Sequence, residues 1–289
     1  MGTADGTVVG RTLIVDHGPA ELRWNIVLFS DGYQAAELPQ FAADAQHFAD
    51  TLLATAPYDH LQAAINIFRV DVESTDSGAA DPAACGGTGA TPRTYFDASF
   101  CNNGIRRLLE VDNGTVVLVA NAQVPQWHVL AVLVNRAVYG GSGGAVATFS
   151  KAPNAMEIAL HEMGHTAFGF ADEYEYYQGC GVDVGHDHHP GPEPSQPNVT
   201  LKSDRATIKW SGLVLPATAM PTTVNADCTV CDPQPSPVAA GLVGAFEGAD
   251  YYHFGCFRPE FNCRMRVLGQ PFCAVCQSVI TRQITPFLP

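Results

Sequence analysis

The sequence predicts an α/β fold, in which strands and helices alternate in the first half of the chain and loops dominate the second half. Three observations lead to this prediction. Short apolar runs end at turn residues, apolar residues with helical spacing separate two of these runs, and Pro, Gly, Asp and Cys become frequent after Tyr174. Strands that alternate with helices are typical of a sheet layered with helices.

The individual elements follow from apolar periodicity and turn signals. Trp24 to Ser30 contains a continuous apolar run and is closed by Asp31-Gly32, so we expect a buried strand there. Apolar residues at helical spacing between Leu38 and Thr55 predict a helix that ends before Pro57. The same reasoning predicts strands at 65–72, 115–121, 128–135 and 145–150, a short helix at 105–111, and a helix that begins near 155.

A chain of 289 residues can bury a substantial core, and 46% of its residues are hydrophobic. No repeat and no long linker divides it. We therefore expect one domain, with residues 1–172 carrying the sheet and residues 173–289 forming a C-terminal subdomain.

The charge balance limits the classes of partner. Asp and Glu outnumber Lys and Arg by 29 to 15, which gives a net charge of -14, and no basic run is present. A phosphate backbone would be repelled, so we expect no nucleic-acid partner. No apolar stretch reaches the roughly 18 residues that a membrane span requires, so no span is expected.

The nine cysteines are many for a reducing compartment, and most lie among loop residues. Cys85 and Cys101 flank an irregular stretch that a disulfide would close. The pairs Cys228-x-x-Cys231 and Cys273-x-x-Cys276 fit either a four-thiolate zinc site or disulfides, and disulfides that also use Cys180, Cys256 and Cys263 are the preferred interpretation. We expect an extracellular or cell-envelope location, although Met1 to Val8 has neither the basic nor the apolar region of a signal peptide, so that any export signal is absent or has been removed.

One predicted helix carries residues suited to metal chemistry. Asn154 and Glu157 form a capping signal at its start, and Gly169 permits it to end. His161 and His165 are one turn apart and can hold one zinc ion, while Glu162 projects beside them as a general base. A catalytic zinc needs a third protein ligand, for which we expect Asp172, with Glu173 as the alternative and Glu247 and His253 as distant candidates.

Other segments are candidate substrate contacts. The glycine run 140–144 lacks the features of a nucleotide loop, so we interpret it as an edge beside the substrate, with Gly143 and Gly144 in contact. The predicted strand 145–150 could pair with an extended substrate. Tyr251 and Tyr252 could stabilise the transition state. His186, His188 and His189, with Asp183 and Asp187, form a loop that could bind a second metal, although a solvated loop is the simpler interpretation.

Several motifs together resemble the bacterial IgA-peptidase-like zinc metallopeptidases. The central ones are His161-Glu162-Met163-Gly164-His165 and Phe168-Gly169-Phe170-Ala171-Asp172-Glu173-Tyr174. The likeness extends through Asp31-Gly32-Tyr33, Tyr139-Gly140-Gly141-Ser142-Gly143, Pro197-Asn198-Val199-Thr200, Phe246-Glu247-Gly248-Ala249, Arg258-Pro259, Cys263-Arg264-Met265-Arg266 and Phe272-Cys273-Ala274-Val275-Cys276.

This resemblance implies a zincin-like fold with a twisted mixed sheet, an active-site helix and a C-terminal subdomain. It also implies one catalytic zinc ion, a polypeptide substrate and, by similarity to metzincins, a Met turn at Met265. The chain departs from metzincins because Gly169 lies four residues after His165 instead of three. A non-catalytic zinc-stabilised binding or adhesion module on the same fold is the alternative, and Glu162 favours the peptidase, since a structural zinc site has no use for a free carboxylate.

Overall fold

The computed structural model of the chain describes residues 3–177, 182–230 and 236–289. Its contacts divide the chain into two compact units. Unit 1 comprises Met1–Phe168 and Gln283–Pro289, and unit 2 comprises Gly169–Arg282.

Unit 1 contains a mixed six-stranded sheet with the strand order β1-β3-β2-β4-β6-β5. The central strands β3, β2, β4 and β6 run parallel to one another, whereas β1 and β5 pair antiparallel with β3 and β6 at the two edges. The strands are β1 (Gly6–Val15), β2 (Trp24–Asp31), β3 (Ile65–Ser74), β4 (Val129–Val134), β5 (Gly141–Ser142) and β6 (Ala147–Ser150).

The parallel strands are apolar because both of their faces are covered. Every residue of β2, β4 and β6 is buried. Helices supply the cover, as βαβ connections require. The helices of unit 1 are α1 (Leu38–Ala54), α2 (Asn113–Gln123) and α3 (Ala155–Phe168). The predicted α/β class is confirmed by this sheet and its helices.

Two predicted elements are wrong. Thr115 to Asn121 lies within helix α2 and is not a strand. The valine run suggested a strand, but the Asp112 side chain accepts hydrogen bonds from the Gly114 and Thr115 N–H groups and so caps a helix. Residues 105–111 form a turn and isolated β-bridges instead of a helix, since Leu108 pairs with Gly141 and Glu110 pairs with Ser99.

The edge strand β1 was not predicted, because glycines interrupt its apolar residues at Gly6 and Gly10. It pairs with β3 over most of its length and shifts register between Val8 and Gly10.

Unit 2 contains a two-stranded antiparallel sheet formed by β7 (Phe246–Ala249) and β8 (Tyr252–Arg258), and helix α4 (Ala274–Ile284) begins within it. Long loops connect these elements, as the sequence predicted. None of the helices within the described part of the chain has both the length and the apolar character that crossing a bilayer requires.

Asp31 at the end of β2 is a fully buried carboxylate. Its two oxygens accept hydrogen bonds from the N–H groups of Phe96, at 2.8 Å, and Ala98, at 3.1 Å. These bonds fasten the loop 94–98 to the sheet. Burial raises the pKa of Asp31 to about 6, although the hydrogen bonds act in the opposite direction.

This pKa predicts how stability depends on pH. Between about pH 4 and pH 6 the folded chain holds a proton on Asp31 that the unfolded chain has released. The contribution of Asp31 to the free energy of unfolding is therefore largest below about pH 4 and falls, by on the order of 3 kcal/mol, as the pH rises through 6.

Urea denaturation of the wild type and Asp31→Asn at several pH values measures this contribution. The stability of the wild type relative to Asp31→Asn should decline as the pH rises across that window. Asp50→Asn, on the exposed face of α1, should show the same dependence of stability on pH as the wild type. A difference between wild type and Asp31→Asn that grows with pH would refute the assignment.

Candidate active site

Helix α3 in unit 1 carries His161, Glu162 and His165. The Nε2 atoms of the two histidines lie 3.1 Å apart, and their rings are nearly perpendicular, at 84°. Residues four apart share one face of a helix, so this proximity is a direct result of the spacing. Ile158, Leu160 and Met163 are buried and fix the helix against the sheet.

The histidine pair has the geometry of two ligands of one ion. Two imidazole nitrogens at about 2.0–2.1 Å from a tetrahedral zinc ion would be about 3.3 Å apart. The 3.1 Å separation between the Nε2 atoms of His161 and His165 is close to that value. The donor atoms therefore fit a shared metal ion.

The glycine run packs directly on α3. A Cβ added at Gly143 would lie 2.3 Å from Cβ of His165, and a Cβ added at Gly141 would lie 2.6 Å from Oε1 of Glu162. The backbone thus approaches the histidine and the glutamate more closely than any side chain would allow. At Gly144 a Cβ would meet no atom within 4 Å, but its φ of 127° favours glycine.

Unit 2 begins with the loop that follows α3. Gly169 has a φ of 65°, which lets the chain turn immediately after the helix. Asp172 is 5% exposed, and its Oδ2 accepts a hydrogen bond from the Tyr251 hydroxyl. Its carbonyl accepts a second bond from the Asp250 N–H at 2.9 Å.

Tyr251 is held in an unusual position for this contact. Its φ of 69° and the φ of 54° at Asp250 both lie in the left-handed region, which non-glycine residues rarely adopt. Burial, and then the negative charge of Asp172, raise the pKa of the Tyr251 phenol. The phenol therefore remains a hydrogen-bond donor to the carboxylate.

Glu173 belongs to a different group of side chains. It is fully buried and lies with the thiols of Cys263, Cys273 and Cys276. Its N–H donates to the carbonyl of Met265 at 2.8 Å. Burial raises the pKa of the Glu173 carboxyl.

With this geometry established, comparison with known protein families identifies the chain. The family model described as IgA peptidase M64 matches residues 13–231 and 235–284. The chain belongs to the IgA peptidase M64 family. A search of curated proteins finds no match. The resemblance inferred from the motifs is confirmed, and membership of this family makes the chain a peptidase, a hydrolase whose substrates are polypeptides.

Asn198 holds the loop after α3 through hydrogen bonds to Ala171 and Glu173. The amide of Asn198 accepts a hydrogen bond from the Ala171 N–H and donates to the Ala171 carbonyl, both at 2.8 Å. It also donates to Oε1 of Glu173 at 2.9 Å. No role for Asn198 was evident from the sequence, because its hydrogen-bond partners lie more than twenty residues away in the chain.

The distant ligand candidates Glu247 and His253 have other partners in unit 2. The two oxygens of Glu247 accept hydrogen bonds from the N–H groups of Gly255, at 2.8 Å, and Asn225, at 2.9 Å. His253 is fully buried, with Nδ1 against Glu175 and Nε2 at 2.9 Å from the Asp227 carbonyl. Both side chains hold loops together through their polar atoms.

The other residues predicted for substrate contact, a second metal site and the Met turn each have their own packing partners. Tyr252 stacks on His186, at 4.7 Å between ring centroids, and also contacts His189. His188 packs on Phe254, and the hydroxyl of Tyr176 donates to Asp187. Within the part of the chain that the structure describes, His186, His188 and His189 do not form a group of metal ligands. Met265, the predicted Met turn, is fully buried.

The strand 145–150 that was predicted to pair with a substrate has part of its backbone already paired within the sheet. Strand β6 has neighbours on both sides, because it pairs with β4 and with β5. The far side of β5 is also occupied, since the Gly141 N–H donates to the Arg107 carbonyl at 3.1 Å and its own carbonyl accepts from the Leu109 N–H at 3.3 Å. An added strand therefore cannot pair with Thr148 or Phe149 on the β5 side.

The cysteine prediction is correct in part. Cys85 and Cys101 form a disulfide, as predicted. Cys256, Cys263, Cys273 and Cys276 carry buried thiols, so the expectation that they form disulfides is wrong. Cys180 and Cys231 lie outside the described residues.

Gly143→Ala tests the close approach between the glycine run and α3. The new methyl group would displace His165, and a shift of about 1 Å in an active-site group can cost about 100-fold in rate. We expect about this loss of peptidase activity on a denatured polypeptide, measured by mass spectrometry of the products. Gly10→Ala, where a Cβ meets no atom within 4 Å, is the control. Equal activity of both variants would contradict the packing argument.

Proposed function

We propose that this peptidase is a zinc-dependent endopeptidase with a zincin-like site, in which His161, His165 and Asp172 hold the ion and Glu162 is the general base. The observation that carries the proposal is the pair of Nε2 atoms 3.1 Å apart on the helix that also bears Glu162. Two imidazoles and a carboxylate are the ligand types that catalytic zinc sites use, with one position left open for water.

Asp172 is preferred to Glu173 as the third ligand. Glu173 is committed to Asn198 and lies among three thiols, whereas Asp172 is fixed by the Tyr251 hydroxyl. A carboxylate that binds metal commonly accepts a hydrogen bond that orients it. The positive φ of Gly169 redirects the chain three residues before Asp172, which supports a return toward the histidines.

The mechanism assigns separate tasks to the side chains. When bound, the ion supplies Lewis-acid polarisation of the scissile carbonyl and lowers the pKa of water toward about 7. Glu162 accepts a proton from the attacking water and returns it to the leaving amine, which requires a carboxylate and not an amide. His161 and His165 provide neutral nitrogen donors, and Tyr251 orients Asp172. Met265 is proposed as the apolar floor of the site.

An oxidising location, extracellular or in the cell envelope, accords with the disulfide between Cys85 and Cys101. The substrate class is polypeptide. The sequence preference at the cleaved bond can be measured by digesting a peptide library with and without a chelator and identifying the products by mass spectrometry.

Glu162→Gln should retain zinc and lose at least about 100-fold in turnover, the usual contribution of a general base. Glu157→Gln, in the first turn of the same helix, is the matched control and should stay active. Metal content is measured by elemental analysis and turnover on a denatured polypeptide. Full activity of Glu162→Gln would remove Glu162 as the base, and an inactive wild type with bound zinc would favour a binding module.

Asp172→Ala and Tyr251→Phe test the third ligand, because the two variants should lose different amounts of zinc affinity. Loss of an outer partner costs about 10–100-fold in metal affinity, so Tyr251→Phe should fall in that range and Asp172→Ala should exceed it. Recovery of peptidase activity during zinc titration in a competing chelator measures the affinity at this site. If Asp172→Ala recovers its peptidase activity at the same free zinc concentration as the wild type, Asp172 is not a ligand.

A further inference from the structure

Four ligand-type side chains meet inside unit 2. They are Glu173, Cys263, Cys273 and Cys276, and all four are buried. One sulfur atom from each cysteine and one oxygen of the glutamate lie within 4.8 Å of one another. We call these four residues the thiol cluster.

The spacing in the thiol cluster matches the edges of a tetrahedron around zinc. Two thiolates at about 2.3 Å from a tetrahedral zinc ion are about 3.8 Å apart, and a thiolate and a carboxylate oxygen are about 3.5 Å apart. The Sγ atoms of Cys263 and Cys276 are 3.9 Å apart. Oε1 of Glu173 lies 3.9 Å from Sγ of Cys273 and 3.8 Å from Sγ of Cys276.

The sulfur atoms also receive backbone hydrogen bonds. The Cys273 N–H donates to Sγ of Cys263 at 3.3 Å, and the Cys276 N–H donates to Sγ of Cys273 at 3.4 Å. Such bonds orient and stabilise thiolate ligands. Cys273 directly precedes helix α4, and Cys276 lies in its first turn, where the helix dipole favours negative charge.

Glu173 independently indicates a cation. Its side chain is fully buried, and Oε2 has no hydrogen-bond partner among the described residues. A buried carboxylate oxygen without a partner costs several kcal/mol unless a positive charge compensates it. Oε1 accepts a hydrogen bond from Asn198 and is also the oxygen that lies near the sulfur atoms, and the positive charge of Arg258 acts on the same carboxylate.

A disulfide does not explain the cluster. The sulfur atoms of Cys263 and Cys276 are 3.9 Å apart, whereas a disulfide requires about 2.05 Å. A disulfide between any two of the cysteines would also leave Oε2 of Glu173 buried without a hydrogen-bond partner among the described residues. The sequence also allowed a four-thiolate zinc site that joins Cys228-x-x-Cys231 to Cys273-x-x-Cys276. In the observed group, Cys263 and Glu173 accompany Cys273 and Cys276 instead.

We propose that Glu173, Cys263, Cys273 and Cys276 bind a structural zinc ion. Four protein ligands close the coordination sphere, which is typical of structural zinc and leaves no position for a substrate. The ion joins the loop after α3 to the turn at Cys263 and to the start of α4. Since Glu173 follows Asp172, the ion also fixes the chain at the proposed catalytic ligand, and only this consequence rests on the proposed function.

The test uses full-length protein purified under reducing conditions with zinc. The double variant His161→Ala/His165→Ala removes the proposed catalytic ion, so any remaining zinc reports on the thiol cluster. We expect elemental analysis to give about two zinc ions per chain for the wild type and about one for the double variant. X-ray absorption at the zinc edge of the double variant should then show sulfur at about 2.3 Å as the main scatterer.

Single substitutions complete the test. In the double-variant background, Cys263→Ser should lose the remaining ion, whereas Cys256→Ser, another buried thiol outside the cluster, should retain it. The proposal is overturned if the double variant holds no zinc, if its zinc has only nitrogen and oxygen neighbours, or if mass spectrometry finds a disulfide within the cluster. None of these outcomes depends on Glu162 or on turnover, so failure here is distinct from failure of the proposed function.

Discussion

The burial of two consecutive carboxylates, Asp172 and Glu173, is the constraint that organises unit 2. Each carboxylate costs several kcal/mol to bury unless hydrogen bonds or cations compensate it. The Tyr251 hydroxyl donates a hydrogen bond to Asp172, and the Asn198 amide donates one to Glu173. The strained φ values of Asp250 and Tyr251 are one consequence, because they bring the phenol to Asp172.

Asp172 and Glu173 are adjacent in sequence, yet their side chains lie in different surroundings. Glu173 lies among thiols, which suit a closed structural zinc site, and Asp172 accepts the Tyr251 hydrogen bond and is the residue we propose as the third catalytic ligand. The proposed functions of the two carboxylates thus follow from one local geometry.

The sequence predicted best what short-range rules determine. The bounds of α3 followed from Asn154 and Gly169, and the histidine spacing followed from the helical period. The valine-rich helix α2 was missed because β-branched residues suggested a strand, while the cap at Asp112 decided the outcome. The hydrogen bonds that its side chain accepts from the Gly114 and Thr115 N–H groups outweigh the β-propensity of the run.

The thiol cluster was beyond sequence reasoning for a different reason. Glu173 and Cys273 are 100 residues apart in sequence and 3.9 Å apart in space, and only the tertiary fold joins them. The Cys-x-x-Cys spacing did signal a ligand pair at Cys273 and Cys276, but it could not identify Cys263 and Glu173 as their partners. Gly141 and Gly143 were similarly visible as a run, whereas their close approach to Glu162 and His165 was not.

The most direct test of the central claim is anomalous diffraction at the zinc edge from crystals of the Glu162→Gln protein grown with zinc. The account predicts a peak at about 2.0–2.2 Å from Nε2 of His161, Nε2 of His165 and a carboxylate oxygen of Asp172. The absence of any peak at the two histidines, in crystals soaked in zinc at neutral pH, would contradict it.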